Sequence, residues 1–239
     1  MSSIKLKHSG GNAVSLHPPT SAPATSDVQF KLPTADGSAG QVLKTDGSGN
    51  LSWVTVADTN DYVKLQNAVS SSAVSELNFD NLDVSTYKHF DLIGSFCPVN
   101  DGVSLRFRYR TGGASGSNVT TSLYVYGWDV MYPDDNEQNE SAEGASKIIM
   151  TTGIGNNTGE GIYLNMRISL ADSSDETHTR YTMNTITYSG IYINNQNAPR
   201  QVNGVGNLKH GTTYPTGFGL HFENGDVASS SYCLYGMKR

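Results

Sequence analysis

The sequence predicts an all-β protein, a short extended and hairpin-forming N-terminal segment followed by an antiparallel β-sandwich of jelly-roll type. Three observations predict it. Charged residues make up only 16% and hydrophobic residues 36% of the 239 positions, with Gly (25) and Tyr (13) abundant, a balance that suits strands and turns over helices. Several segments alternate apolar and polar residues with period two. The connections between them are rich in Gly, Asn, Asp and Ser.

The clearest strand is Val103-Ser104-Leu105-Arg106-Phe107-Arg108-Tyr109-Arg110, with Val103, Leu105, Phe107 and Tyr109 on one face and Arg106, Arg108 and Arg110 on the other. Residues 162–170, Ile162-Tyr163-Leu164-Asn165-Met166-Arg167-Ile168-Ser169-Leu170, repeat the pattern. Shorter alternating segments run over 74–79, 90–96, 123–132, 181–193, 218–222 and 232–237. About eight or nine strands with no helical periodicity place residues 58–239 in one sandwich domain.

Residues 1–57 read differently. Ile4-Lys5-Leu6 and Ala13-Val14-Ser15-Leu16 flank a Ser9-Gly10-Gly11-Asn12 turn and form a hairpin. The stretch from His17 to Ser26 holds three of the eight prolines and is extended and semi-rigid. Val28, Phe30 and Leu32 alternate, and Leu51-Ser52-Trp53-Val54 is a further short strand. Asp46-Gly47-Ser48-Gly49-Asn50 is a tight turn; it lacks the sixth-position Gly and twelfth-position Glu of a helix–loop–helix calcium site. A segment this size with so few apolar residues cannot build its own core. It gains stability by packing on copies of itself or on another protein.

Charge and motifs exclude several functions. The net charge of −6 without a Lys/Arg cluster argues against nucleic acid as a partner. No apolar run reaches the ~20 residues of a membrane span, and Met1-Ser2-Ser3-Ile4-Lys5 has no signal-peptide core, so a soluble chain assembled in the cytoplasm is expected. Two Cys, Cys97 and Cys233, make no disulfide framework and are read as small hydrophobic strand residues, a single bridge remaining open. No Gly-x-Ser-x-Gly elbow, His-Glu-x-x-His or Cys-x-x-Cys occurs, so no catalytic residue, metal or cofactor is expected. The acidic runs Asp134 to Glu140 and Asp172 to Glu176 are read as solvated loops, with calcium binding as the other reading.

Two constellations remain. Arg106, Arg108 and Arg110 share one strand face and serve either as a solvated or ion-paired row, across the sheet or between protomers, or as a site for anionic sugar or an acidic neighbour. Tyr124, Tyr126, Trp128 and Tyr132 share one face of their strand, with Leu123, Val125 and Met131 opposite. That aromatic face is core, a protomer interface or a sugar-stacking platform.

The first quarter of the chain resembles a segment of structural proteins from marine tailed phages, chiefly those of cyanobacteria. The resemblance runs through Ile4-Lys5-Leu6-Lys7-His8-Ser9-Gly10-Gly11-Asn12, Leu16-His17-Pro18-Pro19 and Phe30-Lys31-Leu32-Pro33-Thr34-Ala35-Asp36-Gly37. It closes on Gly40 to Trp53, whose Asp-Gly…Gly-Asn-Leu-x-Trp pattern is shared more widely among phage fibres. The C-terminal Gly217 to Ala228 and Leu234 to Met237 also look like an ending of fibre-type proteins. The resemblance implies a non-enzymatic virion structural protein, fibre or decoration, commonly a homotrimer and bound to other virion proteins. It makes Ile4, Leu6, Leu16, Pro18, Pro19, Phe30, Leu32, Leu51 and Trp53 the candidate anchoring residues. The alternative is a lectin-like adhesin that recognises host surface glycan through its β domain.

Overall fold

A computed structural model describes residues 4–17, 19–21, 28–56, 61–133, 137–171, 184–209 and 214–238. The chain divides into two compact units, Met1–Thr59 and Asn60–Arg239.

The first unit contains two hairpins. Strands β1 (Ile4–Lys7) and β2 (Ala13–Leu16) pair antiparallel from Ile4↔Leu16 to Lys7↔Ala13. Strands β3 (Gln41–Thr45) and β4 (Leu51–Thr55) pair from Gln41↔Thr55 to Thr45↔Leu51. The β3–β4 turn is built by Asp46, whose Oδ1 accepts from the backbone N–H of Ser48 at 2.8 Å and of Asn50 at 3.1 Å. Hydrogen bonds from the Asn50 side chain and the Ser48 backbone hold the Asp46 carboxyl below its usual range. Gly49, at φ 87°, lies so close to the Gln29 carbonyl that a Cβ would stand 2.8 Å from its oxygen. The 28–32 stretch is not a full strand. It joins the hairpin by one parallel bridge, Lys31↔Asn50, because its side chains find no layer to pack on.

The second unit is the β-sandwich. Its strands are β5 (Tyr62–Ser70), β6 (Leu77–Phe79), β7 (Tyr87–Pro98), β8 (Val103–Thr111), the two-residue β9 (Ser117–Asn118), β10 (Tyr124–Met131), β11 (Glu137–Ala145), β12 (Ile148–Ile154), β13 (Gly161–Ser169), β14 (Asn184–Ile193), β15 (Pro199–Leu208), β16 (Gly217–Phe222) and β17 (Val227–Lys238). They form an eight-stranded sheet, β11-β10-β15-β14-β13-β7-β17-β5, and a five-stranded one, β12-β8-β16-β6 with β9 on β8. The pairing is nested: β5 with β17, β6 with β16, β7 with β13 and β8 with β12. These pairs fall alternately in the large and the small sheet, the winding of a jelly roll. The hairpins β10–β11 and β14–β15 widen the large sheet beyond β13.

Between the layers lies one core. Phe90, Leu92 and Phe96 of β7 face Leu105, Phe107 and Tyr109 of β8, all essentially inaccessible. Phe218 of β16 stacks on Phe79 at 4.6 Å and on Phe107 at 5.7 Å. The alternation in 103–110 and 162–170 does what its period predicts: the apolar set is buried and the polar set faces outward. Glu137-Gln138-Asn139-Glu140, read as loop, is instead the start of β11. As an outermost strand it pairs on one side only, and charge there discourages edge-to-edge pairing with another chain.

Candidate functional site

The anchoring residues come first in the chain. Ile4 lies opposite Leu16 in the first hairpin, and Ile4, Leu6 and Leu16 are 65%, 68% and 68% exposed. Phe30 and Leu32 are similarly open, and Pro19 is exposed. Pro18 lies outside the described residues. Leu51 is half-buried. Trp53 is held at its polar end, where its indole Nε1 donates to the Ala35 carbonyl at 2.9 Å. Its ring lies on Gly37, where a Cβ would come within 2.5 Å. No described residue of this unit is buried.

The aromatic row of β10 takes another role. Tyr124, Tyr126 and Trp128 are 0%, 5% and 3% exposed; they are core of this same chain, and no ligand platform or protomer interface is available on that face. Val125, Gly127, Asp129 and Met131 take the outward positions. The sandwich buries the larger apolar volume, and the tyrosine hydroxyls find partners inside it. Tyr124 Oη donates to the Val119 carbonyl at 3.0 Å and accepts from the Tyr109 N–H at 2.9 Å. Tyr126 Oη donates to Glu140 Oε1 at 2.9 Å. Burial raises both hydroxyls above the usual tyrosine range. Tyr132, beyond the strand, is only half-buried and lies under the Arg200 guanidinium, 4.1 Å from ring to carbon.

The arginine row stands on the outer face of the small sheet, and its three members differ. Arg110 is buried: its Nε donates to Asp80 Oδ1 at 2.7 Å, Nη2 to Asp80 Oδ2 at 3.1 Å, and Nη1 to Asn118 Oδ1 at 3.0 Å and Glu76 Oε2 at 3.4 Å. Arg106 is ion-paired with Glu223, which also accepts from Ser104 Oγ at 3.0 Å. Arg108 has no ion pair or hydrogen bond among the described residues, and its Nε is inaccessible and unpartnered. His221 Nδ1 sits 3.4 Å from Glu76 Oε1. Burial works to raise the Glu76 carboxyl, but the close approach of His221, the hydrogen bonds from Asn118 and the charge of Arg110 outweigh it and hold it low. Glu76, Asp80, Lys147, His221 and Glu223 complete this face, and none of them stood out in the sequence.

The outer face of the large sheet carries a further ion pair. Arg167 grips Asp91 through Nε and Nη2, both at 2.7 Å, and Tyr62 Oη donates to Asp91 Oδ2 at 2.9 Å. Burial tends to raise Asp91; Arg167 and Tyr62 overcome it. Nearby, an open hollow of about 630 Å³ is bordered by Val69, Cys97, Tyr163, Ile191 and Ser231. Cys97 and Cys233 are both free and half-buried on this outward face, not in the core. Cys97 pairs with Ser229 and Cys233 with Ile93, so they stand four residues apart along the strands, about 13 Å, beyond reach of a disulfide.

No known protein family, curated protein or solved structure matches this chain. Among the described residues no three His, Cys, Asp or Glu side chains are grouped to hold a metal ion. Asp134, Asp135 and Asn136 of the first acidic run, and the whole of Asp172 to Glu176, lie outside the described residues.

Proposed function

We propose that the chain is a non-enzymatic structural protein of a bacteriophage virion, a fibre or decoration protein held by its first unit and displaying the jelly roll. The observation that carries this reading is the missing core of Met1–Thr59: none of its described residues is buried, and Ile4, Leu6, Leu16, Phe30 and Leu32 are about two-thirds or more exposed, with Trp53 at 36%. At roughly 25 cal/mol per Å² of apolar surface, such a unit is stabilised by a partner that covers it. The sequence resemblance supplies the partner's kind, other virion proteins and further copies of this chain in a homotrimer. A glycan-reading role would use a surface other than the β10 aromatic row, and the outer face of the small sheet is the strongest remaining one.

The test is incorporation. Phage grown with a chain lacking residues 1–59 should yield particles without the protein, while the separately purified truncated chain still unfolds cooperatively. Truncated protein present in particles at wild-type copy number sinks the reading.

A further inference from the structure

The small sheet carries one cross-strand row with an unusual composition. Gly219 of β16 is opposite Arg108 of β8 on one side and Asn78 of β6 on the other. Ile148 of β12 is opposite Phe107, so Lys147, the residue before it, falls beside Arg108 on the outward face. The row therefore reads Lys147, Arg108, Gly219, Asn78: two adjacent cations, a position with no side chain, and an amide. Four strands at roughly 4.8 Å spacing make it about 14 Å long.

The charges around this row are unevenly satisfied. Arg106 has Glu223, and Arg110 has Asp80 and Glu76. Arg108 and Lys147 have no ion pair and no hydrogen-bond acceptor among the described residues, although Arg108 Nε is shielded from water and the Glu223 charge acts on Lys147 at longer range. Burial first, and then the neighbouring Arg106 and Arg108, lower the Lys147 ammonium below its usual range against the opposing charge of Glu223. At Gly219 a Cβ would stand 2.8 Å from Glu76 Oε1 and 2.9 Å from Asn78 Oδ1, so oxygen acceptors already flank the shallow centre of the row. The Asn78 side chain is exposed and has no hydrogen-bond partner among the described residues.

We infer that this row binds an acidic sugar, a hexuronate unit within a polysaccharide, with its carboxylate on Arg108 and Lys147 and its hydroxyls toward Asn78 and Glu76. A guanidinium fork takes a carboxylate in bidentate fashion. Hydroxyl groups both donate and accept, so they match a face where acids and amides stand between the cations. An acidic peptide matches less well, because its carboxylate side chains bring no ring hydroxyls to meet Asn78 and Glu76. The site is independent of the assembly reading and stands or falls without it.

Titration calorimetry on the full chain at low salt tests it with four probes: tetragalacturonate, the neutral cellotetraose, sodium sulfate and an octaglutamate peptide. Tetragalacturonate should bind at least tenfold more tightly than the other three. Arg108→Gln and Lys147→Gln should each weaken it roughly tenfold, the scale of one charge-assisted contact, with thermal unfolding unchanged. If Arg108→Gln fails to fold, Arg108→Lys and Lys147→Gln carry the test. Equal binding of sulfate would make this a bare anion site, and tighter binding of octaglutamate would make it a peptide site; either overturns the sugar. So does absence of tetragalacturonate binding, or binding that both glutamine variants leave intact.

Discussion

The two units of this chain are made from similar residues and treat water in opposite ways. In Asn60–Arg239 the alternating strands β8 and β13 turn their apolar sets inward, and Phe90, Leu92, Phe107 and Leu164 are sealed from solvent. In Met1–Thr59 the same alternation in Ile4-Lys5-Leu6 and in Val28 to Leu32 leaves the apolar set in water. The difference lies in layers. A hairpin has two faces and nothing to put against either, whereas the sandwich supplies a second sheet. Period-two patterning specifies which side chains share a face; only a facing layer turns that face into a core.

The two tryptophans measure this contrast, one in each unit. Trp128→Ala removes a side chain from the filled core and should cost about 3–5 kcal/mol in urea unfolding followed by far-ultraviolet circular dichroism. Trp53→Ala, read by the same transition, should change it by less than about 0.5 kcal/mol. A large effect at Trp53 would mean that the first unit shares the cooperativity of the sandwich and would break the comparison.

A smaller effect is expected on the polar outside of the sandwich. Arg110 is buried and depends on Asp80 for two of its hydrogen bonds. Asp80→Asn leaves that guanidinium short of charge and should destabilise the unit by about 2 kcal/mol in chemical denaturation. No loss would show that Glu76, Asn118 and the Gly116 carbonyl, which accepts from Arg110 Nη2, suffice to hold it.

The smallest effect is read in alkali. Tyr62 is pushed up to about 12 by burial first and then by its hydrogen bond and charge interaction with Asp91. An acid with a raised folded-state pKa contributes stability fully below its unfolded value, about 10, and loses it as pH climbs toward 12. Wild type should therefore lose stability faster than Tyr62→Phe between those values, measured by urea midpoints across the range. Parallel curves would mean that Tyr62 is not coupled to Asp91 in solution.

How much of this was legible in the sequence follows from what sits at the inward positions. Strands β8 and β13 fill them with Leu, Phe, Ile and Met, and their faces were readable. Strand β15 was not, because its inward positions include Gly204 and Gly206. Those glycines make room for neighbours: a Cβ on Gly204 would come within 2.2 Å of the Tyr188 ring and one on Gly206 within 2.4 Å of Ile148. The glycine erases the alternation for the very reason that the strand is packed. Strand β12 is interrupted by irregular register near Thr151, and β11 turns Glu140 and Ala142 inward beside Trp128 and Tyr126. The β10 aromatic row was ambiguous because both faces of that strand carry apolar residues. The neighbours that sort the arginine row come from distant strands; Glu223 stands 117 positions from Arg106, a distance no single-strand pattern spans.

Nesting also sets an order in time. The last strand, β17, lies between β5 and β7, and Gln66 Nε2 donates to Tyr232 Oη at 3.0 Å across 166 positions. On the ribosome β5 emerges early and waits, unpaired, until residues 227–238 have appeared. Through that interval β7 presents an open backbone edge and the inner layer is uncovered along one side. Closure of such long-range pairs is slow, and uncovered edges invite association between nascent chains. Faster synthesis or crowding of many copies would therefore tax this protein at birth.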